Sequence, residues 1–196
     1  MWPHIHGTPV FGAFPDGRAF LYLWAEKDFL KSFRWWGKRF DTTPAAIIVN
    51  VLPKPGVATN KSGDAVLAPP YLSDQVLANG MPCGMLSLTI DPVQPAAGVL
   101  FASVQRCKAF SEQETAFNEC SVQRCITSSN CAEPRFGMLR AFDPITLKEL
   151  WNNQNDEFAS KQDKTYWFAK FVPPTMAHGR VFLPTASRRV LVYGMR

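Results

Sequence analysis

Turn signals interrupt this chain so often that no long helix fits between them. Its 196 residues include 16 Pro and 12 Gly, and what lies between them is a series of apolar runs of strand length. TPVFGAF (8–14) is bounded by His-Gly and Pro-Asp-Gly, and RAFLYLWAE (18–26) follows at once. In DFLKSFRWW (28–36) alternation puts Phe29, Lys31, Phe33 and Trp35 on one side. Three such runs joined by tight turns predict an antiparallel meander. AAIIVNVL (45–52), GMLSLTI (84–90), GVLFASV (98–104) and GMLRAFD (137–143) predict further strands. So do KELWNN (148–153), TYWFAKFV (165–172), GRVFLPT (179–185) and RRVLVYG (188–194). Residues 53–82, rich in Pro, Gly, Asn, Ser and Asp, read as a long loop or crossover. Only SEQETAFNEC (111–120) reads as helix, with Ser111 and Glu114 at the spacing of a capping box. The fold class expected is all-β.

Hydrophobic residues make up 46% of the chain and charged residues 19%, a globular balance with enough length for one domain and its core. The net charge of +5 favours solubility and attracts anions, and is too small to imply nucleic-acid binding by itself. No apolar run is long enough for a membrane-spanning helix. The opening MWPHIHGTPVFGAF lacks a basic segment followed by an apolar one, so no signal peptide is expected within this chain.

The chain repeats itself. GTPVFGAFPDGRAFLYLW, from Gly7, and PPTMAHGRVFLPTASRRVLVYG, from Pro173, share a Pro/Thr start, a Gly-Arg step and an apolar strand with Phe and Leu. Gly17-Arg18 matches Gly179-Arg180, and glycine there suits a tight turn with positive φ. A weaker middle copy runs GMLSLTI…GVLFASV, and its partner GMLRAFD arrives only after residues 104–136. A unit of about four strands recurring every 40–50 residues or so is the pattern of a β-propeller.

The stretch AFDPITLKELW (141–151) sharpens this. It resembles the tryptophan-docking motif of the quinoprotein alcohol dehydrogenase-like (PQQ-repeat) propellers, in which Ala, Asp, Thr, Gly and Trp recur at fixed spacing. Here the matching residues are Ala141, Asp143, Thr146 and Trp151, with Leu147 in place of the usual Gly. Small Ala141 lets an aromatic ring lie against the strand. Asp143 and Pro144 start a turn, because an Asp carboxylate accepts from N–H groups two residues on and Pro presets φ. Thr146 can cap that turn, and Trp151 buries a flat face between neighbouring sheets while its N–H seeks an acceptor. AEKDFLKSFRW (25–35) keeps only Ala25 and Trp35 of the pattern, a degenerate copy.

The resemblance covers most of 1–36 and 84–196. It implies a partial β-propeller of about three to four four-stranded antiparallel blades over 1–196, with a short helical, Cys-bearing insert at 104–136. Full propellers of this type have more blades, so the chain is expected to be the C-terminal fragment of a longer protein or a truncated gene model, a reading that allows Met1 to be an internal methionine.

Cys107, Cys120, Cys125 and Cys131 lie in the insert, and Cys83 stands apart. Four cysteines in a loop short of core residues read first as two disulfides in one of three pairings, then as free thiols, and last as a metal site. The gaps of 12, 4 and 5 residues between them suit zinc poorly. Disulfides would mean an oxidising compartment, periplasmic or secreted. His4 and His6 share one face of a strand without an evident third ligand, and His178 falls in a hairpin turn. KSFRWWGKRF (31–40) interleaves Lys31, Arg34, Lys38 and Arg39 with Phe33, Trp35, Trp36 and Phe40. Such a set can stack bases, but in a propeller it packs aromatics between blades and solvates the charges, so nucleic acid is not the expected partner.

Within the family, dehydrogenases hold pyrroloquinoline quinone (PQQ) beneath an adjacent Cys–Cys ring, with calcium and an Asp base. This chain has no adjacent Cys pair, and no cofactor is evident in it. PQQ and calcium belong to a full-length protein if they belong at all. The expected function is a non-catalytic extracytoplasmic module that binds a protein or small molecule or acts as a scaffold. The alternative is the C-terminal part of a PQQ-dependent dehydrogenase of alcohols or sugars, with its catalytic residues outside this chain.

Overall fold

The computed structural model describes residues 5–25, 30–43, 46–47, 84–94, 97–105 and 136–194. Three antiparallel sheets account for about half of them. The first contains β1 (Val10–Ala13), β2 (Ala19–Trp24), β3 (Leu30–Arg34) and β4 (Ala46–Ile47), in that order. The second contains β5 (Met85–Ile90), β6 (Gly98–Gln105), β7 (Gly137–Phe142) and β8 (Glu149–Asn152), again in chain order. The third has β9 (Thr175–Ala177), β10 (Arg180–Thr185) and β11 (Arg189–Gly194), with β10 in the middle. The all-β expectation holds, and the N-terminal meander is present as read.

Local chemistry fixes the turns. Gly17 takes φ 84° where the chain passes from β1 to β2, and the Asp16 carboxylate accepts from the Arg18 N–H at 3.0 Å. Between β9 and β10 both His178 (φ 51°) and Gly179 (φ 69°) are left-handed. Two central residues with positive φ make the turn whose twist matches the strands it joins.

Period-two alternation sorts each sheet into two faces. In the first sheet Phe20, Tyr22 and Trp24 of β2, with Leu30 and Ser32 of β3, face the second sheet and are buried. Phe20, Tyr22, Trp24 and Leu30 meet Leu86 of β5, Leu100, Ala102 and Val104 of β6, and Phe142 of β7 in one apolar core. The opposite face of the second sheet supplies Phe101, Leu139 and Trp151 to a second core with Val181, Leu183, Leu191 and Tyr193 of the third sheet. The middle sheet is thus sandwiched. The first strands of successive sheets lie beside each other, β1 against β5 and β5 against β9. Close approach at the first of these contacts needs a residue without a side chain: a Cβ on Gly12 would collide with Leu88.

One expected strand does not form. TYWFAKFV (165–172) makes a single bridge, Trp167 to Phe136, and otherwise runs irregularly. Ahead of it lies one turn of helix, α1 (Lys161–Lys164), closed by a capping box between Ser160 and Asp163. Behind it Phe171 sits at φ 61°, and Pro173 and Pro174 have no N–H to offer a ladder. The alternating aromatics nevertheless point to the interior, for Tyr166 and Phe168 are both buried. Strand β9, which the sequence reading missed, takes up the pairing with β10 instead.

The loop at 53–82, the bulk of the insert at 104–136 with its helix at 111–120, and Cys83, Cys107, Cys120, Cys125 and Cys131 lie outside the described residues.

Candidate functional site

The turn between β7 and β8 is organised by one carboxylate. Asp143 Oδ1 accepts from the N–H groups of Ile145 (2.9 Å) and Thr146 (2.7 Å) and from the Thr146 hydroxyl (2.9 Å). Thr146 Oγ1 in turn accepts from the Lys148 N–H at 3.3 Å. The backbone closes around these contacts through Leu147 N to Asp143 O, 2.8 Å, and Asp143 N to Lys148 O, 2.9 Å. Leu147, where the motif usually has Gly, sits at φ 56° and is fully buried. Burial of its side chain in the first core offsets the left-handed backbone. Asp91 repeats the device between β5 and β6, accepting from the N–H groups of Val93 and Gln94 at 2.8 and 3.0 Å. These two N–H groups, Gln94 first, hold its carboxyl below the usual aspartate range.

Ala141 lies opposite Trp151 across β7 and β8, beside a register shift between Ala141 and Phe142. Trp151 donates its indole N–H to Asp156 at 3.3 Å and stands edge-on to Tyr193 of the third sheet, ring centroids 5.5 Å apart. The structure therefore places all four motif residues on one β7–turn–β8 unit, with the tryptophan reaching the next sheet.

Beside it lies a polar group that sequence reasoning missed. Asn153 is fully buried. Its Oδ1 accepts from the Leu139 N–H at 3.0 Å and its Nδ2 donates to the Asp163 carbonyl at 2.6 Å. Gln154 donates to the Lys164 carbonyl at 3.0 Å, and the Tyr193 hydroxyl donates to the Asp163 carbonyl at 3.3 Å. These contacts tie α1 to both sheets. The sequence reading takes Asn153 only as the end of the KELWNN strand, and the long-range partners alone reveal the knot.

A second surface extends beyond β3. Residues 34–41 form a hairpin closed by Trp36 N to Arg39 O (2.9 Å) and Asp41 N to Arg34 O (2.9 Å), with Gly37 at φ 81° near its tip. Register splits it into two faces. Trp35 and Phe40 bridge each other on one side, their rings 4.7 Å apart, and Phe11 of β1 meets Phe40 edge-on at 6.3 Å. Arg34, Trp36, Arg39 and Asp41 share the other side. There the Arg34 guanidinium lies 3.9 Å from the Trp36 ring centroid, and the Trp36 N–H donates to Asp41 at 2.8 Å. The indole is held by two contacts and is still 53% exposed. Lys38 and Arg39 are exposed beside it.

His6 lies edge-on to Phe171 at 6.5 Å, and His178 occupies the β9–β10 turn; His4 is outside the described residues. Among the described residues no group of three or more His, Cys, Asp or Glu is placed to hold a metal ion. No described helix is long and apolar enough to cross a membrane.

Comparison of the chain with protein-family models, with curated proteins and with solved structures returns no match.

Proposed function

We propose that this chain is a stretch of a propeller-type repeat protein that works outside the cytoplasm as a non-catalytic binding module, recognising an acidic protein segment. The observation that carries the binding reading is the Arg34–Trp36 stack. A tryptophan that is half exposed, yet fixed by a cation over its ring and a carboxylate on its N–H, loses little freedom when a partner covers it. Trp and Arg are also the side chains that dominate binding energy at protein interfaces. Arg34, Lys38 and Arg39 give the surface its sign, and a carboxylate-bearing segment is the complement.

The propeller-type architecture is supported by the neighbouring first strands β1, β5 and β9 and by the Trp151–Tyr193 contact between sheets. The extracytoplasmic setting rests on the four insert cysteines, Cys107, Cys120, Cys125 and Cys131. Mass analysis of alkylated, unreduced protein tests it: five blocked thiols, Cys83 included, would remove that setting.

Selection from a displayed random-peptide library tests the function. Wild type is expected to enrich acidic peptides that Trp36→Ala and Arg34→Ala do not. Equal enrichment by all three proteins would overturn the reading. Titration with PQQ and calcium is the control for the dehydrogenase alternative, which saturable quenching of tryptophan emission would favour.

A further inference from the structure

The bridge between Trp35 and Phe40 sets Arg34 directly opposite Asp41 and Trp36 opposite Arg39. Opposite charges that face each other across a ladder ordinarily pair. Arg34 and Asp41 do not. The Asp41 carboxylate accepts from the Trp36 indole N–H at 2.8 Å, and the Arg34 guanidinium lies over the same ring, 3.9 Å from its centroid. A second carboxylate stands close by. Asp16 feels the charge of Arg34, but its carboxyl is lowered first by the hydrogen bond from Arg18. Arg18 Nε and Nη2 both reach Asp16 Oδ2, at 2.7 and 2.6 Å.

Both carboxylates beside Arg34 are therefore engaged elsewhere. Among the described residues Arg34 has no hydrogen-bond acceptor and no ion-pair partner, and its Nε is enclosed without one. With Nε enclosed, the two terminal amino groups are what the side chain can offer a ligand. A guanidinium is a rigid fork that matches the two oxygens of one carboxylate, and it stacks on an aromatic ring without giving up those donors. Were Asp41 to turn to Arg34 instead, the pair would neutralise the fork and release the indole at once.

Resting on the binding reading above, we infer that Asp41 is the positioning residue of this surface: by holding the Trp36 N–H it fixes the ring on which Arg34 lies, and it leaves the guanidinium free to take one carboxylate of the acidic segment end-on. Arg34 touches the partner, and Asp41 acts through Trp36. Charge alone gives the opposite expectation for Asp41. A carboxylate beside the site repels an acidic ligand, so its removal would tighten binding. The indole hydrogen bond reverses that sign, because a freed ring no longer presents the fork.

Fluorescence anisotropy of fluorescein-labelled hexaglutamate, titrated with the full chain at one fixed ionic strength, tests this. Asp41→Ala removes the charge and the acceptor together, and is expected to weaken binding about tenfold. Asp41→Asn removes the same charge but keeps an amide oxygen for the indole N–H, and is expected to restore what the alanine loses. Arg34→Lys keeps a charge without the fork, and is expected to weaken binding about as much as Asp41→Ala. Trp36→Phe, which has a ring but no N–H, stands in for Asp41→Ala should that protein lose its thermal transition, with the same weakening expected. Equal affinity of the alanine and asparagine variants overturns the positioning role, and wild-type affinity in Arg34→Lys overturns the end-on contact. In both cases loss of binding in Arg34→Ala leaves the binding reading itself standing. A wild type that does not bind the probe, or an Arg34→Ala protein that binds it equally well, overturns that reading and this inference with it.

Discussion

Trp24 stands edge-on to Phe142, ring centroids 5.9 Å apart, and joins β2 of the first sheet to β7 of the second. Its other neighbour is Gly84, where an added Cβ would come within 2.7 Å of the indole Cε3. Trp24→Ala should therefore cost about 3–5 kcal/mol through the cavity it leaves. Gly84→Ala should cost about 1–3 kcal/mol through overpacking. Urea denaturation monitored by far-UV circular dichroism gives both values, and a Gly84→Ala protein as stable as wild type would show that the indole yields freely.

Leu147 inverts the usual order of small substitutions. Both Leu147→Ala and Leu147→Gly empty a fully buried site, at about 2–5 kcal/mol. Alanine keeps the unfavourable left-handed backbone at φ 56°, whereas glycine removes it. Leu147→Gly is expected to be the more stable of the two by about 1 kcal/mol. The reverse order in the same denaturation assay would mean that burial, not backbone, sets the whole effect.

Acid sensitivity has a definite source in Asp91. The Gln94 and Val93 N–H groups lower its pKa in the folded state below the ordinary 3.8. A depressed folded pKa adds stability that is present above the unfolded value and lost as pH falls through the folded one. Asp91→Asn should flatten the decline in stability below about pH 4. An unchanged acid limb, measured by thermal melts in graded buffers, would remove Asp91 from the account.

Tyrosine ionisation should track unfolding at the alkaline end. Burial raises the phenol pKa of Tyr22, Tyr166 and Tyr193 above the ordinary 10. A raised folded pKa means that stability is whole below the unfolded value and is lost as pH rises through the folded one. Absorbance at the phenolate band should therefore rise for these three together with loss of circular dichroism. Three phenols ionising in an intact fold would contradict their burial.

Sequence reading succeeded where contacts are local. RAFLYLWAE reads as a strand and forms β2, and the glycines at 17 and 179 mark left-handed turns. The Asp143 and Thr146 hydrogen bonds span at most three residues, so their spacing in the chain nearly dictates them. Reading failed where distant partners decide. TYWFAKFV alternates like a strand, yet its Tyr166 is claimed by β7, where a Cβ on Gly137 would collide with the ring. Asn153 gives no hint in sequence of a bond to Asp163 ten residues on. Nor does anything at Trp36 announce that Arg34, on the same side of the hairpin, will lie over its ring.

The second sheet has no face turned to water along its middle strands. Neighbouring residues of β7 serve opposite cores, Met138 one and Leu139 the other, and the strand cannot loosen on one side while staying packed on the other. Damage at either core is therefore shared by both. β6, through Leu100 and Phe101, divides itself between the two cores in the same way, and the three sheets are expected to melt as a single thermodynamic unit.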